Sequence, residues 1–458
     1  MQMAESKKNN LERPVPAGRI SRLSRLGVMA STVAGGMLAE GARRLSKGSI
    51  PTLSDMLLTP ANARRIADEL SRLRGAAMKV GQLLSMDAGD IIPPALAEVL
   101  ARLRSDAVSM PMSQLVNVLE GEWGSQWSRN FSRFTFTPTA AASIGQVHRA
   151  TTTDGVDLAI KVQYPGIRES IDSDVDNVAA LLRISGILPS TIDIKSILEE
   201  AKAQLHAEAD YKTEQTWMER YTEILGQDTH FLVPKPYPDL TTRNILAMSW
   251  VDGDPVESLT NQPEALRNRV SEQLFELALK EIFEFGVIQS DPNFANYRFN
   301  RETQKLVLLD FGATRDFPKF IAAGYRDLML GALEKNCRKM YEAVSEIGYF
   351  GVEMSSEQTK IVMDLFEMAC EPLCHLGLYD FGSSTLAKRM HEAGMALAMD
   401  RDFWHTPPID ALFLHRKLAG IYLLAARLNA KVDVHVLARR WLPAENRDRS
   451  RVSEVVAV

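Results

Sequence analysis

Cysteine is scarce, long apolar runs are missing and basic charge is not in surplus. Each shortage closes off a class of protein. Three cysteines, Cys337, Cys370 and Cys374, are too few and too odd for a disulfide framework, which points to a reducing compartment. Cys370 and Cys374 would share a helix face, but no second ligand cluster accompanies them, so a pair of core cysteines is preferred to a metal site. Asp and Glu outnumber Lys and Arg by 58 to 53, and the pI is about 6.0, which argues against a dominant nucleic-acid surface. No stretch approaches the ~18 apolar residues of a membrane span. The nearest, Leu26 to Ala39, holds 14 uncharged residues between Arg19, Arg22, Arg25 and Arg43, Arg44, Lys47. Two readings stay open for residues 20–45: a helix lying in a membrane interface, or a helix packed on itself. Glu5 and Glu12 sit where a transit peptide would avoid acids, so no presequence is expected.

What is present is an ordered succession of patterns. Residues 1–59 read as a polar tail followed by that apolar segment, and 60–130 read as helices. At Phe131 the pattern turns to β. "GQVHRATTT", the Asp154-Gly155 turn and "VDLAIKVQYP" predict a hairpin. One long helix is expected over about 195–225, and a strand over Asn244 to Trp250. Helices dominate after 264, except for a compact stretch at 286–316 that includes the β-like "KLVLLDF". The expected fold is therefore α+β: a protein-kinase-like two-lobe fold with an added N-terminal helical extension. The boundaries are 60–130 for the extension, 131–252 for the smaller lobe, 253–430 for the larger lobe and 431–458 for a tail.

Chemistry enters through residues at fixed spacings. Asp291 and Asn296 form Asp-x-x-x-x-Asn in "SDPNFAN", and nineteen residues beyond Asp291 stands Asp310 of Asp-Phe-Gly. Kinases use this order to bring a residue for the nucleophile (Asp291) and two Mg²⁺ ligands (Asn296 and Asp310) to the phosphates of ATP. Lys161 ends "LAIK" on a predicted strand and can reach the α- and β-phosphates if a carboxylate holds it. The long helix offers Glu199, Glu200, Glu208, Asp210 and Glu214, and spacing does not choose among them. Two departures from protein kinases stand out. The phosphate loop, expected as G-x-G-x-x-G, reads Ala140, Ala141, Ala142, Ser143, Ile144, Gly145, so β-carbons stand where backbone should approach phosphate. No Ala-Pro-Glu follows Asp310, which removes the usual peptide-docking segment.

"KVGQ" (Lys79 to Gln82), "AAAS", "AIKVQYPG", "EADY", "SDPNFAN" and "LLDFGATR" together resemble the UbiB/AarF family of atypical kinase-like proteins, over roughly residues 60–430. The resemblance is greatest to the branch that supports coenzyme Q (ubiquinone) biosynthesis. It implies that Lys79 and Gln82 belong to a KxGQ helix folded over the site, that Glu208 partners Lys161, and that Asp210 bridges toward that helix. It places the adenine-contacting hinge at Met248, Ser249, Trp250 and Val251, although Trp250 could equally be core. It has Ser143 reach the phosphates.

The resemblance implies ATP and Mg²⁺ as cofactors and an ATPase or phosphotransferase in ubiquinone biosynthesis. Expected partners are membrane lipid, polyprenyl quinone precursors and other quinone-biosynthesis proteins. From the charge balance no nucleic-acid partner is expected, and a homodimer is allowed. The expected location is cytoplasmic with peripheral inner-membrane contact, or the mitochondrial matrix in a eukaryote. A small-molecule or lipid kinase and a nucleotide-switched scaffold without catalysis are the rival readings.

Overall fold

A computed structural model describes residues 75–76, 79–80, 110–184, 194–226, 228–291, 293–351, 354–398 and 408–442. In chain order the main elements are α1 (Met112–Trp123), β1 (Phe131–Phe134), β2 (Ala140–Ala141), β3 (Gly145–Thr152), β4 (Asp157–Gln163), α2 (Ile167–Ile184), α3 (Ile194–Glu208), α4 (Tyr211–Leu225), β5 (Phe231–Leu232), β6 (Ile245–Ser249), β7 (Asp254–Pro255), α5 (Glu264–Lys280), β8 (Val287–Gln289), β9 (Tyr297–Asn300), β10 (Lys305–Leu308) and β11 (Thr314–Asp316). The longer helices that follow are α6 (Lys319–Leu333), α7 (Cys337–Ile347), α8 (Ser356–Ala369), α9 (Leu386–Ala398) and α10 (Ile409–Arg427).

The chain divides into two compact units. The first gathers residues up to Glu223 with Val233–Val251 and Asp310–Ala313. Its sheet runs β1-β3-β4-β6 in antiparallel order, with β2 added alongside β3. Strand alternation sorts β4 into two faces. Leu158, Ile160 and Val162 join Leu115 and Leu119 of α1, Trp127 and Phe131 in one apolar core. Ala159 and Lys161 therefore face the other way, opposite Met248 and Leu246 of β6. The Asp154-Gly155 hairpin forms as expected, and Gly155 takes φ +86°.

The second unit comprises Ile224–Leu232, Asp252–Leu309 and the residues from Thr314 onward. It holds a sheet ordered β5-β10-β9-β7 and a separate β8–β11 pair. Its main core gathers Ile282, Ile288, Phe317, Tyr325, Val344, Phe366 and Leu414, among others.

The expected single helix over 195–225 is a correction. Two helices, α3 and α4, meet at Ala209-Asp210. The cause is local. Asp210 Oδ1 accepts the Lys212 N–H at 3.1 Å, and the Asp210 carbonyl accepts those of Thr213 (3.1 Å) and Glu214 (3.2 Å). Asp210 thus caps a new helix, as short acidic side chains do. The Tyr211 N–H donates outside the helix, to the Arg243 carbonyl at 3.1 Å.

Candidate active site

In the first unit, five charged side chains gather from four places in the chain. Lys161 leaves the middle of β4 and donates to both oxygens of Glu214, at 2.9 and 3.1 Å. It also lies 3.5 Å from Asp310 Oδ2. Glu214, one turn into α4, further accepts the Phe311 N–H at 3.4 Å, which ties the Asp-Phe-Gly backbone to the helix. The Phe311 ring packs edge-on against Tyr221 of the same helix, with centroids 4.9 Å apart. Asp310 folds back on its own turn, accepting the Gly312 N–H at 3.0 Å.

Glu208 does something else. Its Oε1 receives Lys79 at 2.5 Å and its Oε2 receives the Ser143 hydroxyl at 2.6 Å. The expectation that Glu208 holds Lys161 is therefore corrected: Glu214 does. The break at Asp210 is the reason. Glu208 ends one helix and Glu214 opens the next, so the two carboxylates serve different lysines. Asp210 does not bridge to Lys79 in the contacts described. It lies 3.4 Å from Arg168 and 3.4 Å from Arg243.

Burial gives these contacts weight. The Lys79 side chain is 3% exposed, Glu214 2%, Lys161 and Glu208 9% each, but Asp310 26%. Two ammonium groups thus face three carboxyl groups, and the one most open to solvent is Asp310. Burial alone would raise the Asp310 carboxyl; Lys161, the Gly312 N–H and the charge of Lys79 outweigh it and hold the group below its ordinary value. Burial pushes Glu214 up to about 7, with Lys161 opposing and Asp310 reinforcing. Burial also opposes the charge on Lys161, but Asp310 and Glu214 more than compensate, so it stays an ammonium.

The alanine loop is built as a tight hairpin. Ala140 and Ala141 pair with Val147 and Gln146, and the Ala142 N–H donates to the Gly145 carbonyl at 2.9 Å. Ala140 and Ala141 are exposed, while Ala142 and Ser143 are half-buried. The short helical piece with Lys79 packs onto this turn at Gly75, where an added Cβ would meet the Ser143 carbonyl at 3.0 Å. Glycine there permits the approach that delivers Lys79 to Glu208. Gln82 and residues 20–45 lie outside the described residues.

The expected hinge spans the last two residues of β6 and the two that follow. Met248 is buried on the Lys161 face of the sheet; Ser249, Trp250 and Val251 are half-buried. Trp250 donates its N–H to the Asp157 carbonyl at 2.9 Å, and the Arg149 guanidinium sits 4.8 Å from its ring centroid.

In the second unit, Asp291 follows β8 and accepts the Asn293 N–H at 3.2 Å. Asn293 caps the short turn Phe294–Asn296 by accepting the Ala295 N–H at 3.1 Å. Asn296 is 7% exposed, and its amide nitrogen has no hydrogen-bond partner. A buried amide left open in this way suits a ligand.

No group of three or more His, Cys, Asp or Glu among the described residues could by itself hold a metal ion. The ionised, solvent-facing Asp310 carboxylate is an oxygen donor of the kind Mg²⁺ takes.

The profile of the ABC1 atypical kinase-like domain matches residues 102–344. The chain belongs to the ABC1/UbiB family of atypical kinases. It is 36% identical to the mitochondrial atypical kinase COQ8 of Saccharomyces cerevisiae, over 93% of this chain and 86% of that one. It is 37% identical to the mitochondrial atypical kinase COQ8B of Rattus norvegicus, over 92% of this chain and 80% of that one. Among solved structures, Rv3197 of Mycobacterium tuberculosis, determined with erythromycin, superposes with a TM-score of 0.58 at 23% identity, covering 82% of this chain and 94% of that one. That likeness establishes the shared kinase-like α+β fold. Among the described residues no helix is long and apolar enough to cross a membrane.

Proposed function

We propose that this atypical kinase is a Mg²⁺-dependent ATPase or phosphotransferase that supports ubiquinone biosynthesis beside the membrane. The observation that carries the reading is the buried Lys161–Glu214–Asp310 group. It has the residue types of a nucleotide site, a surplus of carboxyl over ammonium groups, and one ionised carboxylate left open. Lys161 orients phosphates and Glu214 orients Lys161. Asn296 and Asp310 are the proposed Mg²⁺ ligands; bound Mg²⁺ neutralises charge on the phosphates. Asp291 positions or deprotonates the nucleophile. Ser143 and the Ala140–Ala142 backbone contact phosphates, and Met248 to Val251 contact the base.

Lys79, Glu208 and Ser143 form the proposed gate. Residues 60–130 are the extension that carries Lys79 and Gln82, 131–252 and 253–430 are the two lobes, and protein-sized acceptors are excluded. Similarity to COQ8 proteins, which are mitochondrial, supports the pathway, and the proposed location is the periphery of an inner membrane. The proposed partners are polyprenyl precursors, lipid and other quinone-biosynthesis proteins. The test is ATP turnover with and without anionic liposomes containing a quinone precursor, following free phosphate and labelled lipid separately. Phosphate release stimulated by liposomes supports the ATPase reading. Label in the lipid would make the chain a lipid kinase instead, and no turnover under any condition would overturn both.

A further inference from the structure

The second unit contains a buried ion pair for which the proposed chemistry has no direct use. Lys417 of α10 is 1% exposed and contacts the carboxylate of Glu281, which is fully buried. The same ammonium donates to the backbone carbonyl of Gln289 at 3.1 Å. Burial presses Lys417 below its usual range, and Glu281 opposes this.

The positions of the two partners matter. After α5 the chain makes a π-helical turn over Glu281–Phe285, and Gly286 (φ +62°) reverses it into β8, which delivers Ser290 and Asp291. Glu281 stands at the head of this segment and Gln289 at its foot. Ile288, in the middle of β8, is anchored in the apolar core, and the foot at Gln289 lies one residue beyond it. Strand β8 has three residues and, among the described residues, pairs with β11 alone. The Gln289 side chain is 5% exposed, and neither of its amide atoms has a hydrogen-bond partner. Lys417 closes the segment into a loop by binding both ends.

Stability is a poor reason for such a pair. Desolvating two charges offsets most of their attraction, and apolar replacements of similar volume are often neutral or better. Fixing geometry is the better-founded use. π-Helical turns also concentrate at functional sites.

We propose that Lys417 is a positioning residue for phosphoryl transfer, clamping the segment between Glu281 and Gln289 so that Asp291 is presented in one place. This rests on the reading of Asp291 as the residue that handles the nucleophile.

The test uses the full chain and the double variant Glu281→Leu/Lys417→Met, which removes both charges together. Melting temperature should stay within a few degrees of the parent. MgATP affinity should stay within about threefold while kcat falls about tenfold to a hundredfold, since small misplacements of a catalytic group cost that much. Amide hydrogen exchange over residues 287–296 should accelerate. A folded double variant with parental kcat and parental exchange would overturn the proposal. Should the double variant not fold, Glu281→Gln carries the same comparison, and parental kcat with parental exchange in it is equally contrary. If the parent itself turns over no ATP, the functional reading fails, and the exchange comparison alone decides whether Lys417 holds the segment.

Discussion

Glu208 and Glu214 lie six positions apart and do different work, which makes them separable by substitution. Glu214→Gln removes the charge that Lys161 binds and weakens the acceptor of the Phe311 N–H. A hydrogen bond to a charged group is worth about 2 kcal/mol. We expect a loss of about that size in chemical denaturation, and a weaker thermal shift with MgATP. Glu208→Gln should leave Lys161 in place and act on Lys79 and Ser143 instead. If the two variants respond to nucleotide alike, the division of labour between the carboxylates is wrong. Asp310→Asn removes the anionic oxygen proposed for Mg²⁺, a hard cation. Its thermal shift with MgATP should be largely abolished, while its shift with ATP in EDTA should match the parent. An undiminished MgATP shift would take Asp310 out of the site.

Whole elements were legible in the sequence where local chemistry set them. The Asp154-Gly155 turn announced the β3–β4 hairpin, and "LAIK" put Lys161 on a strand. The partner of Lys161 was not legible, because it depends on a helix break. A 3.6-residue apolar pattern runs on through 195–225, and only the cap at Asp210 shows that two helices share it. The signal existed: a short acidic residue before Tyr-Lys-Thr-Glu is ordinary N-cap chemistry. Lys417 left no such trace. A lysine within an apolar helix meets Glu281 and Gln289 only through tertiary packing.

The alanine hairpin supplies a prediction at this scale. Ala142→Gly frees a backbone that the turn now restrains, at a cost of about 1 kcal/mol. The ratio of ADP to ATP affinity should move about fivefold in calorimetry, since that energy corresponds to such a factor. Equal affinities in parent and variant would mean the loop does not set nucleotide pose. A second prediction concerns the packing of α6 and α10. There the His415 ring nitrogen lies 2.7 Å from the Tyr325 hydroxyl and 3.0 Å from that of Tyr349. Burial lowers His415 to about 4. The unfolded chain protonates this imidazole near pH 6.5, so it binds more protons than the native state between there and about 4. Stability must therefore fall as pH drops through that window, by about 2 kcal/mol at pH 5 relative to pH 7. Urea denaturation of the parent and His415→Gln at both pH values isolates the effect. Equal pH dependence in the two proteins would contradict it.

For the molecule as a whole, the account joins a family assignment to a chemical one. The family is established by the ABC1 profile and by relatives similar over nine-tenths of the chain. Fold and family are shared widely, so the chemistry has to be argued from residues. It rests on Asp291 acting on a nucleophile, and a nucleotide-switched scaffold would not need that residue. The most direct test is the Asp291→Asn variant, assayed for MgATP binding and for release of phosphate from γ-labelled ATP. The account predicts binding within about threefold of the parent and turnover reduced at least about a hundredfold, the scale expected on removing a general base. Parental turnover by a folded Asp291→Asn protein would contradict it.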